Sequence, residues 1–291
     1  MGRVIRKGFF ILVILLFFSG PSFPTEKGPV VWFFSAQPER YFSAFFEIHL
    51  KRIIPASQLK SVNLYSQHPA ELAKKINSPM DSAQVIIIMD FSREYQDAFF
   101  QQFQKVTFQK KPYLIAWNCD WENPPSSFQS IPIIINWDLA LKSLQPLLPD
   151  HSAPILLIHQ QETYIQSFLQ SFPSQLPNQV FASSDFPHQL SFQPSLYFVS
   201  NDRIMEEYCS FLHPLICLES STMALAELDT GNILATIDLK PSQLAYQIPQ
   251  LLQPTTSTPV LTLTPKLIVK SSLPEADAYE VLHRCFMCGS K

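Results

Sequence analysis

Glycine is scarce in this chain, which has 6 glycines and 25 prolines among its 291 residues. Loops that bind nucleotide phosphates need glycine, because their backbone must approach the phosphate oxygens closely. No glycine-rich loop of that kind occurs in the sequence. We therefore do not expect a nucleotide-dependent enzyme of the P-loop or Rossmann-fingerprint type.

Signatures of other protein classes are missing as well. The net charge is only −3 and no basic stripe occurs, so we expect no nucleic-acid partner. There is no G-x-S-x-G elbow and no glycosidase carboxylate motif, and we expect no enzyme activity. Cys285 and Cys288 form a C-x-x-C pair that could close a small disulfide. Without further cysteine or histidine ligands the pair is a weak zinc signal, and we expect no metal or other cofactor.

A long apolar run occurs only near the N-terminus, where residues 9–18 follow Arg3, Arg6 and Lys7. A basic N-terminus, a short apolar run and small residues after that run predict a secretory signal peptide over residues 1–24. As a helix this run spans about 15 Å, half of the hydrocarbon core of a bilayer. We expect a cleaved, periplasmic protein, and uncleaved anchoring is the alternative interpretation.

Apolar runs alternate with amphipathic stretches along the rest of the chain, and the runs are apolar on both faces, as buried strands of parallel sheets require. Strands are predicted at residues 30–34, 61–65, 85–89, 113–117, 131–135, 155–159, 196–200 and 215–219. Helices are predicted at residues 40–52, 69–77, 93–105, 138–148, 162–172, 202–212 and 222–229. This order predicts an α/β fold, divided into two similar lobes at the stretch rich in Asn, Pro and Ser at residues 117–132.

Most of the predicted strands end on polar residues, among them Asp90, Asn118, Gln160, Asn201 and Glu219. One interpretation is that each residue caps the next helix or lies in a solvated loop. In a parallel sheet, however, the carboxyl ends of the strands share one edge, and ligands bind beyond that edge. Two such edges facing each other would form a polar cleft.

Three segments carry a resemblance to a known family. They are LYFVSNDRIMEEYCSFL, PLICLESSTMALAELDTGNILATIDLKPSQLAYQIPQLL and, at the front, VWFFSAQPERYFSAFFEIH. Their order of strands, polar turns and helices resembles the type I periplasmic binding proteins, the ribose- and galactose-binding family that also supplies LacI-type ligand domains. The resemblance covers roughly residues 30–270 and is strongest at residues 196–252.

The resemblance implies two Rossmann-like lobes, each a parallel sheet flanked by helices, joined by a multi-strand hinge. The N-terminal lobe would comprise residues 29–120 and 238–262, and the C-terminal lobe residues 121–237 and 263–273. Residues 274–291 lie beyond the resemblance, and their pattern predicts a short amphipathic helix.

A ligand site between the lobes is also implied. Carboxylates and amides would bind hydroxyl groups there, and aromatic side chains would pack on the apolar face of the ligand. The expected contacts are Tyr41, Phe42, Asp90, Trp117, Asn118, Asn136, Gln160, Asn201 and Glu219. For the polar residues the alternative role is a helix cap or solvated loop, and for the aromatic residues it is ordinary core packing.

The chain departs from the family pattern at several of these positions. Trp117 and Asn118 stand near the place where the family has an Asp-Arg pair. The family's basic residue after the sixth strand is replaced by Gln160, Gln161 and Glu162. No specific sugar is therefore implied. The leading hypothesis is an exported, monomeric solute-binding protein that captures a small polar ligand for an ABC permease or a membrane sensor kinase. The alternative is a signalling or interaction module with little or no ligand affinity.

Overall fold

The computed structural model describes residues 30–64, 80–119, 125–149, 154–160, 162–171, 179–186, 193–254 and 259–279. The predicted signal peptide, the predicted helix at residues 69–77 and residues 280–291 of the predicted tail lie outside these ranges. Within the described ranges, no helix has the length and apolar composition needed to cross a membrane.

The first sheet has five strands in the order β2-β1-β3-β4-β5, all paired in parallel. The strands are β1 (Val31–Ser35), β2 (Leu59–Asn63), β3 (Val85–Met89), β4 (Tyr113–Trp117) and β5 (Gln129–Ser130). Every residue of β1 and β3 is buried, which explains why these strands are apolar on both faces.

The remaining strands form a second sheet and a separate two-stranded pair. They are β6 (Ile133–Ile135), β7 (Ile155–His159), β8 (Gln179–Ala182), β9 (Leu196–Val199), β10 (Leu215–Cys217), β11 (Ala235–Asp238), β12 (Leu261–Leu263) and β13 (Lys266–Ile268). The second sheet has the order β13-β11-β10-β9-β7-β8, and β13 pairs antiparallel with β11. β6 and β12 pair in parallel outside both sheets.

Helices alternate with the strands. They are α1 (Tyr41–Ile53), α2 (Arg93–Phe103), α3 (Asp138–Leu144), α4 (Thr163–Ser171), α5 (Asp202–Tyr208), α6 (Thr222–Thr230) and α7 (Pro241–Leu251). Short 3-10 helices occupy Gln145–Leu147, Ser183–Asp185 and Lys270–Glu275. The predicted α/β fold with parallel sheets flanked by helices is confirmed. We call the first sheet with α1, α2 and α7 the first lobe, and the second sheet with α3 to α6 the second lobe.

Three predicted helices differ from the structure by several residues. The helix predicted over residues 202–212 ends at Tyr208, and a proline lies at each of the other two differences. The helix predicted over residues 138–148 ends at Leu144, because Pro146 has no amide hydrogen for the next helical bond. The helix predicted from residue 274 does not begin there, since Pro274 and Glu275 end a 3-10 helix. The predicted lobe boundaries stay a prediction. One strand does not follow them, because β5 lies in the first sheet whereas residues 121–237 are expected in the C-terminal lobe.

The two faces of the first sheet pack against different groups of side chains. Val31 and Phe33 face a core that includes α1, whereas Trp32 and Phe34 face the other side. There the ring of Phe34 packs edge-on against Phe99 and Phe103 of α2. Each fully buried aromatic ring contributes about 1.5–3 kcal/mol of hydrophobic stabilisation. Packing on both faces therefore holds the sheet, and with it the ends of its strands, in a fixed position.

Candidate functional site

Asp90 and Asn118 lie at the carboxyl ends of the neighbouring strands β3 and β4. Both have left-handed backbone conformations, with φ of 57° and 51°. Asn118 Nδ2 donates a hydrogen bond to Asp90 Oδ1 at 2.8 Å, and the Ser43 hydroxyl of α1 donates to Asp90 Oδ2. These bonds fix the Asp90 carboxylate at the edge of the first lobe.

Asn201 occupies the corresponding edge of the second lobe. Its Oδ1 accepts a hydrogen bond from the amide of Ile204 at 3.0 Å and thereby caps α5. Its Nδ2 donates to Glu162 Oε1 and, at 3.2 Å, to Gln160 Oε1. Glu162 Oε2 in turn accepts from the Gln160 amide at 2.9 Å. Asn201 is therefore both a helix cap and a member of a buried polar network.

Glu219, which follows β10, lies in the same lobe and is only 4 % exposed. Its Oε1 is 3.2 Å from the Tyr164 hydroxyl, which also lies 2.7 Å from the carbonyl oxygen of Ser200. A tyrosine hydroxyl has one proton and can donate it to only one of these oxygens. A protonated Glu219 could supply the second hydrogen.

Arg40, the residue before α1, lies between the two lobes. Its Nη1 is 3.5 Å from Asp90 Oδ1 of the first lobe, and its Nη2 is 3.8 Å from Glu162 Oε1 of the second. The Arg40 side chain is 21 % exposed, whereas those of Asp90 and Glu162 are almost fully buried. One guanidinium group thus bridges carboxylates from both lobes.

Burial shifts the pKa values of these groups. It raises the pKa of Asp90, although Arg40 and the donors around the carboxylate oppose the shift. It raises the pKa of Glu219 well above the usual range, again with Arg40 opposing, while Glu162 and Asp90 add to the rise. For Arg40 burial acts downward, but the nearby carboxylates outweigh it and the pKa is raised. The cluster therefore favours a charged Arg40 and a protonated Glu219.

Three aromatic rings form a column that crosses from the first lobe to the second. Phe42 and Trp117 stack with ring centroids 3.9 Å apart and an interplanar angle of 14°. Trp117 stacks in turn with Tyr164 of α4, at 5.9 Å and 12°. All three side chains are buried. The column forms an apolar wall beside the polar cluster.

Tyr41 points to a different cluster, at the end of β11. Its hydroxyl donates a hydrogen bond to Asp238 Oδ1 at 2.7 Å, and Lys240 Nζ lies 2.8 Å from Asp238 Oδ2. Lys240 also contacts Asp277 at 3.2 Å. Burial and the charge of Asp238 raise the pKa of Tyr41 well above its usual value. Because the chain passes from β11 to α7 here, this cluster ties the two lobes together at the crossover.

Most of the expected contact residues therefore come together, and two do not. Phe42, Asp90, Trp117, Asn118, Gln160, Asn201 and Glu219 lie in the polar cluster or in the aromatic column beside it. Tyr41 lies at the crossover, and Asn136 is exposed, with its Oδ1 accepting from the amide of Asp138 at 3.0 Å. Neither residue contacts the cluster directly.

Sequence reasoning missed Arg40, Glu162 and Tyr164. Arg40 stands at a helix start, where a basic residue is disfavoured by the helix dipole, and this mismatch was the available signal. Glu162 and Tyr164 flank the start of α4 and look like ordinary helix residues in the sequence. Their role depends on contacts between lobes that are far apart along the chain.

Metal binding finds no support among the described residues, which contain no group of three or more His, Cys, Asp or Glu side chains placed to hold an ion. Cys119, Cys209 and Cys217 are free thiols, and Cys119 and Cys217 are buried. Burial raises the pKa of both of these thiols, so they remain protonated. Residues 285 and 288 lie outside the described ranges.

No protein-family model and no curated protein sequence matches this chain. Solved structures do match. The Caulobacter myo-inositol binding protein bound to myo-inositol has a TM-score of 0.58 and 11% identity, over 90% of this chain and 99% of that chain. The periplasmic binding protein component of the arabinose ABC transporter from Shewanella sp. ANA-3 has a TM-score of 0.58 and 13% identity, over 89% of this chain and 97% of that chain.

The XylFII–LytSN complex matches with a TM-score of 0.55 and 12% identity, over 84% of this chain and 99% of the matched chain. This chain has the fold of the type I periplasmic binding proteins. Since the identities are low, the likeness concerns the fold, and the residues of the cleft have to be judged by their own geometry. In this chain the polar cluster around Arg40 and the aromatic column lie between the two lobes of that fold.

Proposed function

We propose that this chain is an exported, two-lobe binding protein that captures a small polar, sugar-like ligand between its lobes. The observation that carries the proposal is the convergence of carboxylate, amide and aromatic groups from both sheet edges. Asp90 and Asn118 come from the first lobe, and Asn201 and Glu219 from the second. In open parallel sheets, ligands bind beyond these strand ends.

The converging groups suit a ligand with several hydroxyl groups. Carboxylates accept hydrogen bonds, whereas the amides of Asn118, Gln160 and Asn201 can both donate and accept. Glu219, whose pKa is raised, can also donate when it is protonated. Phe42 and Tyr164 both stack on the Trp117 ring in this structure. When the lobes separate and Tyr164 moves away, the ring would present an apolar face of the kind that packs on a sugar ring.

The solved structures of the same fold support this choice of ligand class. The Caulobacter protein is bound to myo-inositol, and the Shewanella protein is bound to arabinofuranose. The XylFII–LytSN complex is an example in which a second protein is bound. We propose that this chain is periplasmic and monomeric, and that its closed form is recognised by an ABC permease or a membrane sensor.

The first experiment is native mass spectrometry of the purified protein, followed by a thermal-shift screen of sugars, inositols, nucleosides and amines. A co-purified or added molecule that binds only the folded state raises the melting temperature. At 100 times its Kd it adds about 2.7 kcal/mol of stability. The same mass spectrum tests whether residues 1–24 have been removed on export.

A pair of variants locates the binding site. Glu219→Gln keeps the size of the side chain but replaces one carboxyl oxygen with an amide NH2, which cannot accept a hydrogen bond, and it should weaken binding by about tenfold or more. Glu206→Gln, on the exposed face of α5, should bind as the wild type does. A native mass that shows no co-purified molecule, together with a screen in which no compound raises the melting temperature, would reject the proposed function.

The second candidate is a signalling or interaction module with little or no ligand affinity. One observation favours it: Arg40 and Asn118 of the first lobe already contact Glu162 and Thr163 of the second. Polar groups that satisfy one another need no ligand for their hydrogen bonds. This candidate predicts no thermal shift with any compound in the screen.

A further inference from the structure

The start of α4 contacts the first lobe through consecutive residues. Glu162 Oε1 lies 3.8 Å from Arg40 Nη2. The amide of Thr163 donates a hydrogen bond to Asn118 Oδ1 at 3.0 Å. The first amides of a helix have no acceptor within that helix, so a partner from the other lobe satisfies a group that the fold leaves open.

Tyr164 adds an apolar contact to these two polar ones. Its ring stacks on Trp117, which also stacks on the ring of Phe42. Trp117 and Tyr164 are each only 4 % exposed, so separating the lobes would expose both rings to water. We call this inter-lobe contact the latch. It consists of Arg40, Trp117 and Asn118 of the first lobe and Glu162, Thr163 and Tyr164 of the second.

Arg40 has a particular place in the latch, because carboxyl groups of both lobes surround it. Asp90 belongs to the first lobe, and Glu162 and Glu219 belong to the second. The two ion pairs of Arg40 join one lobe to the other. Without a cation between them, buried carboxylates of opposite lobes repel one another and favour an open cleft.

We propose that the latch holds the two lobes closed when no small molecule is bound, and that Arg40 is an internal occupant of the cleft which a ligand must displace. The inference concerns the regulation of the site proposed above, and it rests on the proposed function only in taking the cleft as the ligand site. An entering molecule then competes with a contact inside the chain, which lowers its apparent affinity. To replace the guanidinium group it has to offer positive charge or several hydrogen-bond donors to the carboxylates.

The test compares wild-type protein with Arg40→Gln and with Arg93→Gln, which makes the same charge change on the exposed face of α2. Small-angle X-ray scattering without ligand reports the separation of the lobes. We expect wild type and Arg93→Gln to share one compact radius of gyration and Arg40→Gln to have a larger one. Equal radii for all three proteins, or an open wild type, would overturn the proposal.

Hydrogen exchange at the Thr163 amide gives a residue-specific measure of the same opening. Its hydrogen-bond acceptor is Asn118 of the other lobe, so protection of this amide depends on closure. We expect exchange about tenfold faster or more in Arg40→Gln, because breaking a buried ion pair is strongly destabilising. Exchange unchanged from wild type would count against the latch.

Chemical rescue separates the role of the guanidinium group from a general effect of the mutation. Ethylguanidinium, added to Arg40→Gln at concentrations too low to denature, should restore the compact radius and the Thr163 protection. Ethylammonium has the same charge but lacks the planar, forked donors, and we expect weaker rescue. If Arg40→Gln fails to fold, Glu162→Gln removes the other charge of the pair while keeping an acceptor for Gln160.

The outcomes distinguish this inference from the proposed function. A wild-type protein that closes only after a sugar is added would overturn the latch and support the function. A protein that is closed alone, opens with Arg40→Gln and binds nothing in the screen would support the latch and overturn the function. A closed wild type that also binds a compound, more tightly after Arg40→Gln, would support both.

Discussion

Asn118 Nδ2 donates a hydrogen bond to Asp90 Oδ1 at 2.8 Å, and both residues have left-handed backbone conformations. Their strands are paired in register through Met89 and Trp117, so the two unusual conformations lie side by side. A left-handed conformation costs an ordinary residue about 1–2 kcal/mol, and among residues other than glycine, asparagine and aspartate tolerate it best. The pair directs one carboxylate and one amide to the edge of the sheet that adjoins the second lobe.

The first prediction concerns this backbone conformation. Asn118→Ala and Asn118→Gly both remove the side-chain bonds to Asp90 and Thr163, but only alanine retains a Cβ at φ of 51°. We expect Asn118→Ala to be less stable than Asn118→Gly by about 1 kcal/mol, measured by urea unfolding. Equal stability of the two variants would mean that the residue does not hold a left-handed conformation in solution.

The second prediction concerns the pH dependence of stability. The pKa of Glu219 is raised in the folded protein, so the group binds its proton more tightly there than in the unfolded chain. Its contribution is complete below the unfolded pKa of about 4.3 and is lost as the pH rises through the folded value. We expect Glu219→Gln to change less in free energy of unfolding between about pH 5 and about pH 8 than wild type does.

Glu47 provides a control, because its pKa is shifted in the direction opposite to that of Glu219. Its pKa is lowered, because Lys51, Ser61 and Asn63 together outweigh the effect of burial. The stability that it contributes is present above the unfolded pKa and is lost as the pH falls through the folded value. Glu47→Gln should therefore lose stability at neutral pH, where Glu219→Gln gains it. A pH profile of Glu219→Gln parallel to that of wild type would show that the buried carboxyl titrates normally.

The third prediction tests the crossover cluster. Tyr41→Phe removes the hydroxyl that donates to Asp238, while Lys240 and the amide of Asp277 remain as its partners. We expect a loss of about 1–2 kcal/mol, at the lower end for a hydrogen bond to a charged group. Tyr246→Phe, on a tyrosine that is 59 % exposed, should stay within about 0.5 kcal/mol of wild type. Similar losses for both variants would assign the effect to general packing.

The eight predicted strands leave out β5, β8, β11, β12 and β13. The sequence predicted the other strands well, because buried parallel strands such as Val85–Met89 are apolar at every position. It also placed Asp90 and Glu219 at strand ends, since polar residues follow these runs directly. Arg40 could not be found in this way. Its importance comes from one contact with Asp90 and one with Glu162, and the second depends on how closely the lobes approach. Contacts between lobes leave no periodic pattern in a single sequence.

The last prediction separates the two roles of Asn201. Its Oδ1 caps α5 through the Ile204 amide, while its Nδ2 donates to Glu162. Asn201→Ser keeps a capping oxygen but loses the amide NH2 that donates to Glu162, and Asn201→Ala loses both groups, at a further cost of about 1 kcal/mol. Asn201→Asp keeps the cap but places a second carboxylate against Glu162.

We therefore expect the free energy of unfolding at neutral pH to fall from wild type to Asn201→Ser and further to Asn201→Ala. Asn201→Asp should be at least as destabilised as Asn201→Ala, because two buried carboxylates repel each other. This variant should gain more stability on acidification than wild type and the other two variants do, since protonation of its added carboxyl removes the repulsion. Urea unfolding at about pH 7 and about pH 5 measures both effects. A stable Asn201→Asp at neutral pH would mean that the Nδ2 contact is dispensable and that Asn201 serves only as a helix cap.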